Sequence, residues 1–162
     1  SDGCFGVLSW PGEHRALLRR VRRFLAPGGR FVFRVFVRPG PEAVEEVIER
    51  ALDGRLATFH AFKLCLLMAS QPDTAAGVVT GEVWERWSAA VPDPTAFAAR
   101  TGWPVEQVAT IDAYRGQPAV YTFPTLAEIR SVLDGEGFEV ERVMEPGYPL
   151  GSRCPTLVAR PR

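Results

Sequence analysis

Two histidines, His14 and His60, are the only imidazoles in this chain of 162 residues and the obvious candidates for a general base. His14 lies at the start of a predicted helix, where we expect it to face solvent. His60 precedes an apolar run at 62–68 and is positioned to reach a pocket, so we take His60 as the candidate catalytic base. No cysteines, histidines or carboxylates have the spacing of metal ligands, and no Ser-His-Asp arrangement can be argued. We therefore expect no metal site.

Arg34 is a charged residue inside an otherwise apolar segment at 31–37, and a buried arginine must be paired. It therefore forms a structural ion pair or binds a ligand carboxylate or phosphate. Phe36 follows, where this segment is predicted to leave a sheet. Tyr114 and Arg115 precede the last predicted helix, and either recognise a polar substrate or belong to a lid packed on the core.

The element that positions Arg34 is a helix, turn and strand at 14–37. Apolar residues recur at helical spacing over 14–25, the sequence Pro27-Gly28-Gly29 breaks the helix, and an apolar strand follows at 31–37. Val32 and Phe33 point to opposite faces of that strand, which favours a parallel sheet covered by helices on both sides. This indicates an α/β fold. In the helix at 14–25, the positions outside the apolar stripe carry Arg15, Arg19, Arg20, Arg22 and Arg23. These arginines form either a solvent-exposed face of the helix or a phosphate-binding face.

A helical insertion is predicted at 39–116, between the core segments 1–38 and 117–162 of a single domain. Its tryptophans line an aromatic pocket or belong to the core. Thr125 and Glu128 then form a capping box at the start of the last helix. Two strands at 138–143 and 156–160 have no helix between them and must pair antiparallel. The insertion helices are predicted at 42–52, 59–68, 81–91, 95–100 and 104–115, and the tryptophans are Trp84, Trp87 and Trp103.

Composition limits the possible partners and compartment. Nineteen basic and nineteen acidic residues give a net charge of zero, so we expect neither nucleic acid nor a membrane surface as partner. No segment is long and apolar enough to span a bilayer, and no export signal is visible. The three cysteines lack a disulfide-like or metal-like pattern, which favours the cytoplasm.

The predicted elements follow one another in the order helix, Leu25-Ala26-Pro27-Gly28-Gly29, strand, insertion, helix, Gly137-Phe138, strand, loop and strand. This order resembles the C-terminal half of a class I S-adenosylmethionine-dependent methyltransferase. The resemblance covers nearly the whole chain. It implies a partial doubly wound, Rossmann-like sheet, mostly parallel with a C-terminal antiparallel hairpin. It also implies that 2–5 is the loop leaving the family's fourth strand; the alternative is that 4–8 is that strand itself.

The resemblance implies a methyl transfer to a small molecule, with S-adenosylmethionine as cofactor. Cofactor contacts would come from Asp2, Gly3, Cys4 and Phe5, although Asp2 could equally cap a turn. Substrate contacts would come from Arg34, Phe36, Tyr114 and Arg115, and His60 would be the base.

The glycine-rich loop that mainly holds this cofactor does not occur in the sequence. We therefore expect the chain to be the C-terminal part of the enzyme and inactive alone, with the missing N-terminal half or another chain at the sheet edge. The alternative is a non-catalytic binding module that uses the half-fold and its helical insertion for a protein partner or apolar ligand.

Overall fold

The computed structural model describes residues 2–162. Its contacts divide the chain into two compact units. The first comprises Ser1–Gly40, Asp73–Gly77 and Thr122–Arg162, and the second comprises Pro41–Pro72 and Val78–Tyr121. In chain order the elements are α1 (Gly12–Phe24), β1 (Phe31–Arg34), α2 (Val44–Leu52), α3 (Phe59–Ser70), β2 (Val78–Val79), α4 (Thr80–Ala90), α5 (Pro94–Thr101), α6 (Val105–Ala109), β3 (Val120–Tyr121), α7 (Leu126–Gly135), β4 (Phe138–Met144) and β5 (Thr156–Pro161), with short 3-10 helices at Cys4–Val7, Thr110–Tyr114 and Gly151–Arg153.

The sheet of the first unit has the strand order β1-β5-β4, and both strand pairs are antiparallel. The predicted hairpin of the last two strands is confirmed. The predicted mostly parallel, Rossmann-like sheet is wrong, because β5 returns between β1 and β4 and pairs antiparallel with each. A single parallel bridge, from Asp2 to Arg34, lies outside the strands.

One face of this sheet is covered and the other is open. Phe33 is 1% exposed, whereas its neighbour Val32 is 48% exposed, so the expectation that helices bury both faces is wrong. Helices α1 and α7 pack in a single core with the Phe33 face, since Leu18 of α1 and Ile129 of α7 belong to the same buried cluster. The other members of that cluster are Phe5, Val35, Val37, Val132, Leu133, Phe138, Leu157 and Ala159.

Helix α7 begins with the predicted capping box. The Thr125 hydroxyl accepts a hydrogen bond from the Glu128 main-chain N–H at 3.2 Å, and the Glu128 carboxylate accepts one from the Thr125 N–H at 2.7 Å. These two reciprocal bonds satisfy donors that a helix start would otherwise leave unpaired. The helix ends at Gly135, and Gly137 follows with a positive φ of 76°.

The apolar stripe of α1 differs from the prediction at its end. Leu18 is fully buried, but Phe24, the last residue of the helix, is 88% exposed. The helix ends at Phe24, and the predicted turn at Pro27-Gly28-Gly29 follows. The five arginines predicted along the back of this helix are all exposed.

The second unit is helical around an aromatic core. Phe59 and Phe62 of α3 are fully buried, and Trp87 of α4 and Phe97 of α5 pack against Phe62 with ring centroids 5.5 and 5.6 Å away. Trp103 joins the same cluster at 5.7 Å from Phe59. Trp87 and Trp103 therefore pack in the aromatic core, which is one of the two alternatives predicted for the tryptophans. Strands β2 and β3 form a short antiparallel pair that the sequence did not predict.

Candidate functional site

The carboxyl end of β1 brings together two of the predicted site residues, Asp2 and Arg34. The Arg34 side chain donates from Nε to Asp2 Oδ1 at 2.6 Å and from Nη2 to Asp2 Oδ2 at 2.9 Å, a two-pronged pair. The Gly3 N–H also donates to the Arg34 carbonyl at 3.1 Å. Main chain and side chain thus both hold the 2–3 segment against the end of β1.

A third group reaches the same arginine. Arg34 Nη1 lies 3.4 Å from the hydroxyl of Tyr148, in the loop between β4 and β5. The hydrogen bond that Arg34 donates to Asp2, followed by the one it donates to Tyr148, raises the pKa of Arg34, so its charge is permanent. The alternative in which Arg34 forms an ion pair is the one observed, although its side chain is 39% exposed and not buried as expected. The sequence did not single out Tyr148, because only the strand register shows which loop returns to Arg34.

Gly3 and Phe36 are also in contact at this end of the sheet. Gly3 has φ +65°, and a Cβ at this position would lie 3.0 Å from Cε2 of the Phe36 ring. The same ring lies 5.8 Å from the Arg34 guanidinium carbon, within the range of a cation–π contact. Glycine is therefore required here both for the backbone conformation and for the close approach of the ring.

The next two predicted cofactor contacts, Cys4 and Phe5, open the first 3-10 helix. Phe5 is 1% exposed and stacks on Phe33 with centroids 4.8 Å apart, so its side chain belongs to the core. Cys4 is half-buried against the same core. Residues 4–8 form neither a strand nor an irregular loop, because the 3-10 helix occupies Cys4–Val7.

His14 is fully buried, and the prediction that it faces solvent is wrong. Its Nε2 lies 2.9 Å from the carbonyl oxygen of Phe5 and its Nδ1 lies 3.3 Å from that of Ser9. Burial lowers the pKa of His14, although these two carbonyls favour the charged form. The signal was present in the sequence: His14 lies three and four residues before Leu17 and Leu18, on the apolar side of α1.

A chain of polar side chains lies beyond the end of β1. Arg38 Nη2 donates to the Thr74 hydroxyl at 3.2 Å, and that hydroxyl donates to Glu128 Oε1 at 2.8 Å. Burial by itself would raise the pKa of Glu128, but hydrogen bonds from Thr125 and Thr74 outweigh it and lower the pKa. Thr74 is 3% exposed and had no sequence signal, since it reaches Glu128 from a segment 54 residues away.

The predicted substrate residues Tyr114 and Arg115 lie in the second unit. The Arg115 guanidinium carbon lies 4.6 Å from the centroid of the Trp84 ring, a cation–π contact, and Trp84 Nε1 donates to Asp112 Oδ1 at 2.9 Å. Arg115 is exposed, so a polar ligand in solvent can reach it. Tyr114 is half-buried, and burial, followed by the charge of Tyr121, raises the pKa of its phenol.

His60, the candidate base, is exposed on the first turn of α3. No hydrogen bond to its side chain is found within residues 2–162. The structure therefore groups Asp2, Gly3, Arg34 and Phe36 at the end of β1, and Arg115 with Trp84 and Asp112 in the second unit. His60 joins neither group.

Within residues 2–162, no cluster of three or more histidine, cysteine, aspartate or glutamate side chains is arranged to hold a metal ion. Within the same residues, no helix has both the length and the apolar character needed to cross a bilayer.

Comparison of the chain with models of protein families, with curated proteins and with solved structures finds no match in any of the three.

Proposed function

We propose that this chain forms the C-terminal part of an S-adenosylmethionine-dependent methyltransferase that acts on a small molecule in the cytoplasm. The observation that carries the proposal is the β4–β5 hairpin beside β1, the strand that follows the Pro27-Gly28-Gly29 turn. Turn, strand and closing hairpin are the parts on which the resemblance depends. The mostly parallel sheet that the same resemblance implied does not support the proposal, since the strand pairs within residues 2–162 are antiparallel.

The residues at the end of β1 give the cofactor little direct support. The missing Cβ of Gly3 makes room for the Phe36 ring, which would lie 3.0 Å from a Cβ at this position. The buried Phe5 ring cannot supply a contact, so any contact from Phe5 comes from its backbone. When bound, S-adenosylmethionine would supply the electrophilic methyl group; the glycine-rich segment that would hold most of it lies outside this sequence.

The roles of the charged residues follow from their partners. Arg34 engages both oxygens of Asp2, so Arg34 holds the 2–3 segment in place and is not the group that binds a substrate anion. Arg115 has no carboxylate partner within residues 2–162, and its guanidinium carbon lies 4.6 Å from the centroid of the Trp84 ring. Arg115 is thus the better candidate for recognising a polar substrate.

Isothermal titration with S-adenosylhomocysteine tests the proposal on two proteins: this chain and a chain extended upstream in its reading frame. We expect the longer protein to bind at least about tenfold more tightly, a difference of about 1.4 kcal/mol. Failure of a longer native chain to bind would contradict the proposal, as would an upstream sequence without a glycine-rich loop.

The open face of the sheet favours a second candidate, a non-catalytic binding module. Val32 is 48% exposed and Met144 is 43% exposed, and both share this face with Val158 by strand register. Such a module would fold cooperatively as this chain alone. A single sharp unfolding transition of the 162-residue chain by circular dichroism would favour it, whereas a molten or aggregated product would count against it.

A further inference from the structure

Phe24 is a large aromatic side chain that the fold leaves in solvent. It is the last residue of α1 and is 88% exposed. Arg20 lies one helical turn before it and Arg23 directly precedes it, and both are exposed without an ion pair or hydrogen bond within residues 2–162. A single exposed apolar side chain is ordinary on a protein surface, but this one is flanked by two cations. We call Arg20, Arg23 and Phe24 the basic knob.

Helix α1 carries more positive charge than its neighbours neutralise. Residues 12–24 contain five arginines and one glutamate. Arg19 pairs with Glu136 at 3.3 Å, and Arg22 donates to the Glu136 carbonyl oxygen at 3.4 Å, which leaves the basic knob without a counter-charge. Because arginines three or four positions apart on a helix repel one another, this end of α1 is stabilised by an acidic partner.

The second unit contains a pocket that can hold an aromatic ring. Its volume is about 580 Å³, within the range of clefts that bind small ligands, and it is formed by α2, α3 and α4 together with the residues just before α2. Most of its walls are small side chains, which leave the hollow unfilled; they are Ala43, Val44, Ala69, Ala89 and Ala90. An apolar group from outside the chain's own core is therefore needed to fill it.

The α2 side of this pocket is acidic. Residues 42–50 contain four glutamates and one arginine, and that arginine, Arg50, pairs with Glu42 at 2.6 Å. The other three glutamates are exposed and form no ion pair within residues 2–162; they are Glu45, Glu46 and Glu49. One lining residue, Arg86 on α4, is basic, so a cationic partner is attracted to the α2 side.

We propose that the basic knob of one copy of this chain docks in the pocket beside α2 of a second copy. Phe24 fills the apolar hollow, and Arg20 and Arg23 face the exposed glutamates of α2. Two copies approach without overall repulsion, because the chain has no net charge. Knob and pocket belong to different units, so the contact is heterologous, and one copy can use both surfaces at once. The proposal is independent of the methyltransferase function.

Sedimentation of the full chain in the analytical ultracentrifuge, from micromolar to millimolar concentration, tests the association. Exposed ion pairs are individually weak, so we expect a weak assembly whose mean mass rises with concentration. Its association constant should fall at least about tenfold between about 0.1 M and about 1 M salt, because the Debye length shortens from about 10 to about 3 Å. A chain that stays monomeric at the lower salt overturns the proposal, as does association that salt does not weaken.

Three single variants test the knob and the pocket without altering charge. Phe24→Ala should weaken association more than about tenfold, as expected for an aromatic anchor in a pocket. Val7→Ala is its control, because Val7 is 62% exposed in the same unit and should leave association unchanged. Ala89→Leu narrows the pocket and should also weaken association. Circular dichroism shows that each variant is folded, and folded Phe24→Ala or Ala89→Leu proteins that associate like wild type overturn the proposal.

A charge exchange identifies the two surfaces. The double variant Arg20→Glu, Arg23→Glu should not self-associate, and neither should Glu45→Arg, Glu46→Arg. An equimolar mixture of the two should associate, because each altered surface then meets its opposite charge. Arg130→Glu, Arg142→Glu has the same net charge as the first variant but an intact knob, and should self-associate like wild type. A mixture that stays monomeric overturns the proposal, as does loss of association in this control.

Discussion

Gly3 occupies a position in the candidate site that only glycine fits without strain. It has a positive φ, and an added Cβ would lie 3.0 Å from the Phe36 ring. We expect Gly3→Ala to lower the free energy of unfolding by about 1–2 kcal/mol, because an L-residue is strained in this region. Urea denaturation followed by tryptophan fluorescence measures the change.

The matched control for Gly3 is Gly12, the first residue of α1, where an added Cβ meets no atom within 4 Å. Gly12→Ala should leave stability unchanged or raise it by up to about 1 kcal/mol, since alanine restricts the unfolded chain. A Gly3→Ala variant as stable as Gly12→Ala would show that the positive φ and the contact of Gly3 with Phe36 are not formed in solution.

His14 should make the stability of the first unit depend on pH. Its pKa is lowered in the folded state, so near and below the ordinary value of about 6.5 the unfolded chain binds more protons than the folded chain. The free energy of unfolding should therefore be highest above about pH 6.5 and fall as the pH drops through that value toward the lowered pKa. Urea titrations across this pH range measure it.

Two glutamine variants assign that pH dependence. His14→Gln should remove it, because glutamine carries an N–H for the Phe5 carbonyl but does not titrate in this range. His60→Gln should leave it intact, because His60 is exposed. If wild type and His14→Gln lost stability in parallel on acidification, another group would be responsible.

Among the helices and strands, α7 gives the clearest relation between local sequence and structure. Its capping box was predictable because Thr125 and Glu128 are three residues apart, and both hydrogen bonds of the box join these two residues. We expect Thr125→Ala to cost about 1 kcal/mol of stability, whereas Thr125→Ser keeps the hydroxyl and most of the stability. Thermal unfolding by circular dichroism compares the two, and equal midpoints would show that the cap contributes nothing.

Strand β1 shows where such local prediction fails. Val32 and Phe33 are both apolar, so the sequence suggested a strand covered on both sides, yet only the Phe33 face is packed. The pairing of Phe33 with Leu157 joins residues more than a hundred positions apart, and no local pattern encodes it. Helices with strong periodicity were predictable for the opposite reason: their contacts lie within a few residues.

The same difference between local and long-range contacts explains which parts of the candidate site were predictable. Arg34 was recognised because a charge in an apolar strand needs a partner, and Asp2 because the resemblance places 2–5 in the loop that leaves the family's fourth strand. Their direct pairing, and the addition of Tyr148, depend on how distant segments meet. The burial of His14 was available from its helical spacing and was missed because its position at a helix start was given more weight.

For the whole molecule, two separate cores imply two separable sources of stability. Phe33 is buried in the first unit and Phe62 in the second. Truncation of either to alanine should cost about 3–5 kcal/mol in the unit that contains it. Hydrogen exchange should show faster amide exchange mainly in β1, β4 and β5 for Phe33→Ala, and mainly in α3 to α5 for Phe62→Ala. Uniform loss of protection in both variants would mean that the two units unfold together.

The single lysine of the chain, Lys63, gives a simple proteolytic probe of the second unit. A protease that cuts only after lysine has one possible target in the whole sequence, the bond after Lys63, in the middle of α3. A helical backbone does not fit a protease active site, so cleavage must wait until α3 opens. When the helix closes faster than the protease cuts, the rate at which the chain is cut into its two fragments, 1–63 and 64–162, is therefore proportional to the population in which α3 is open.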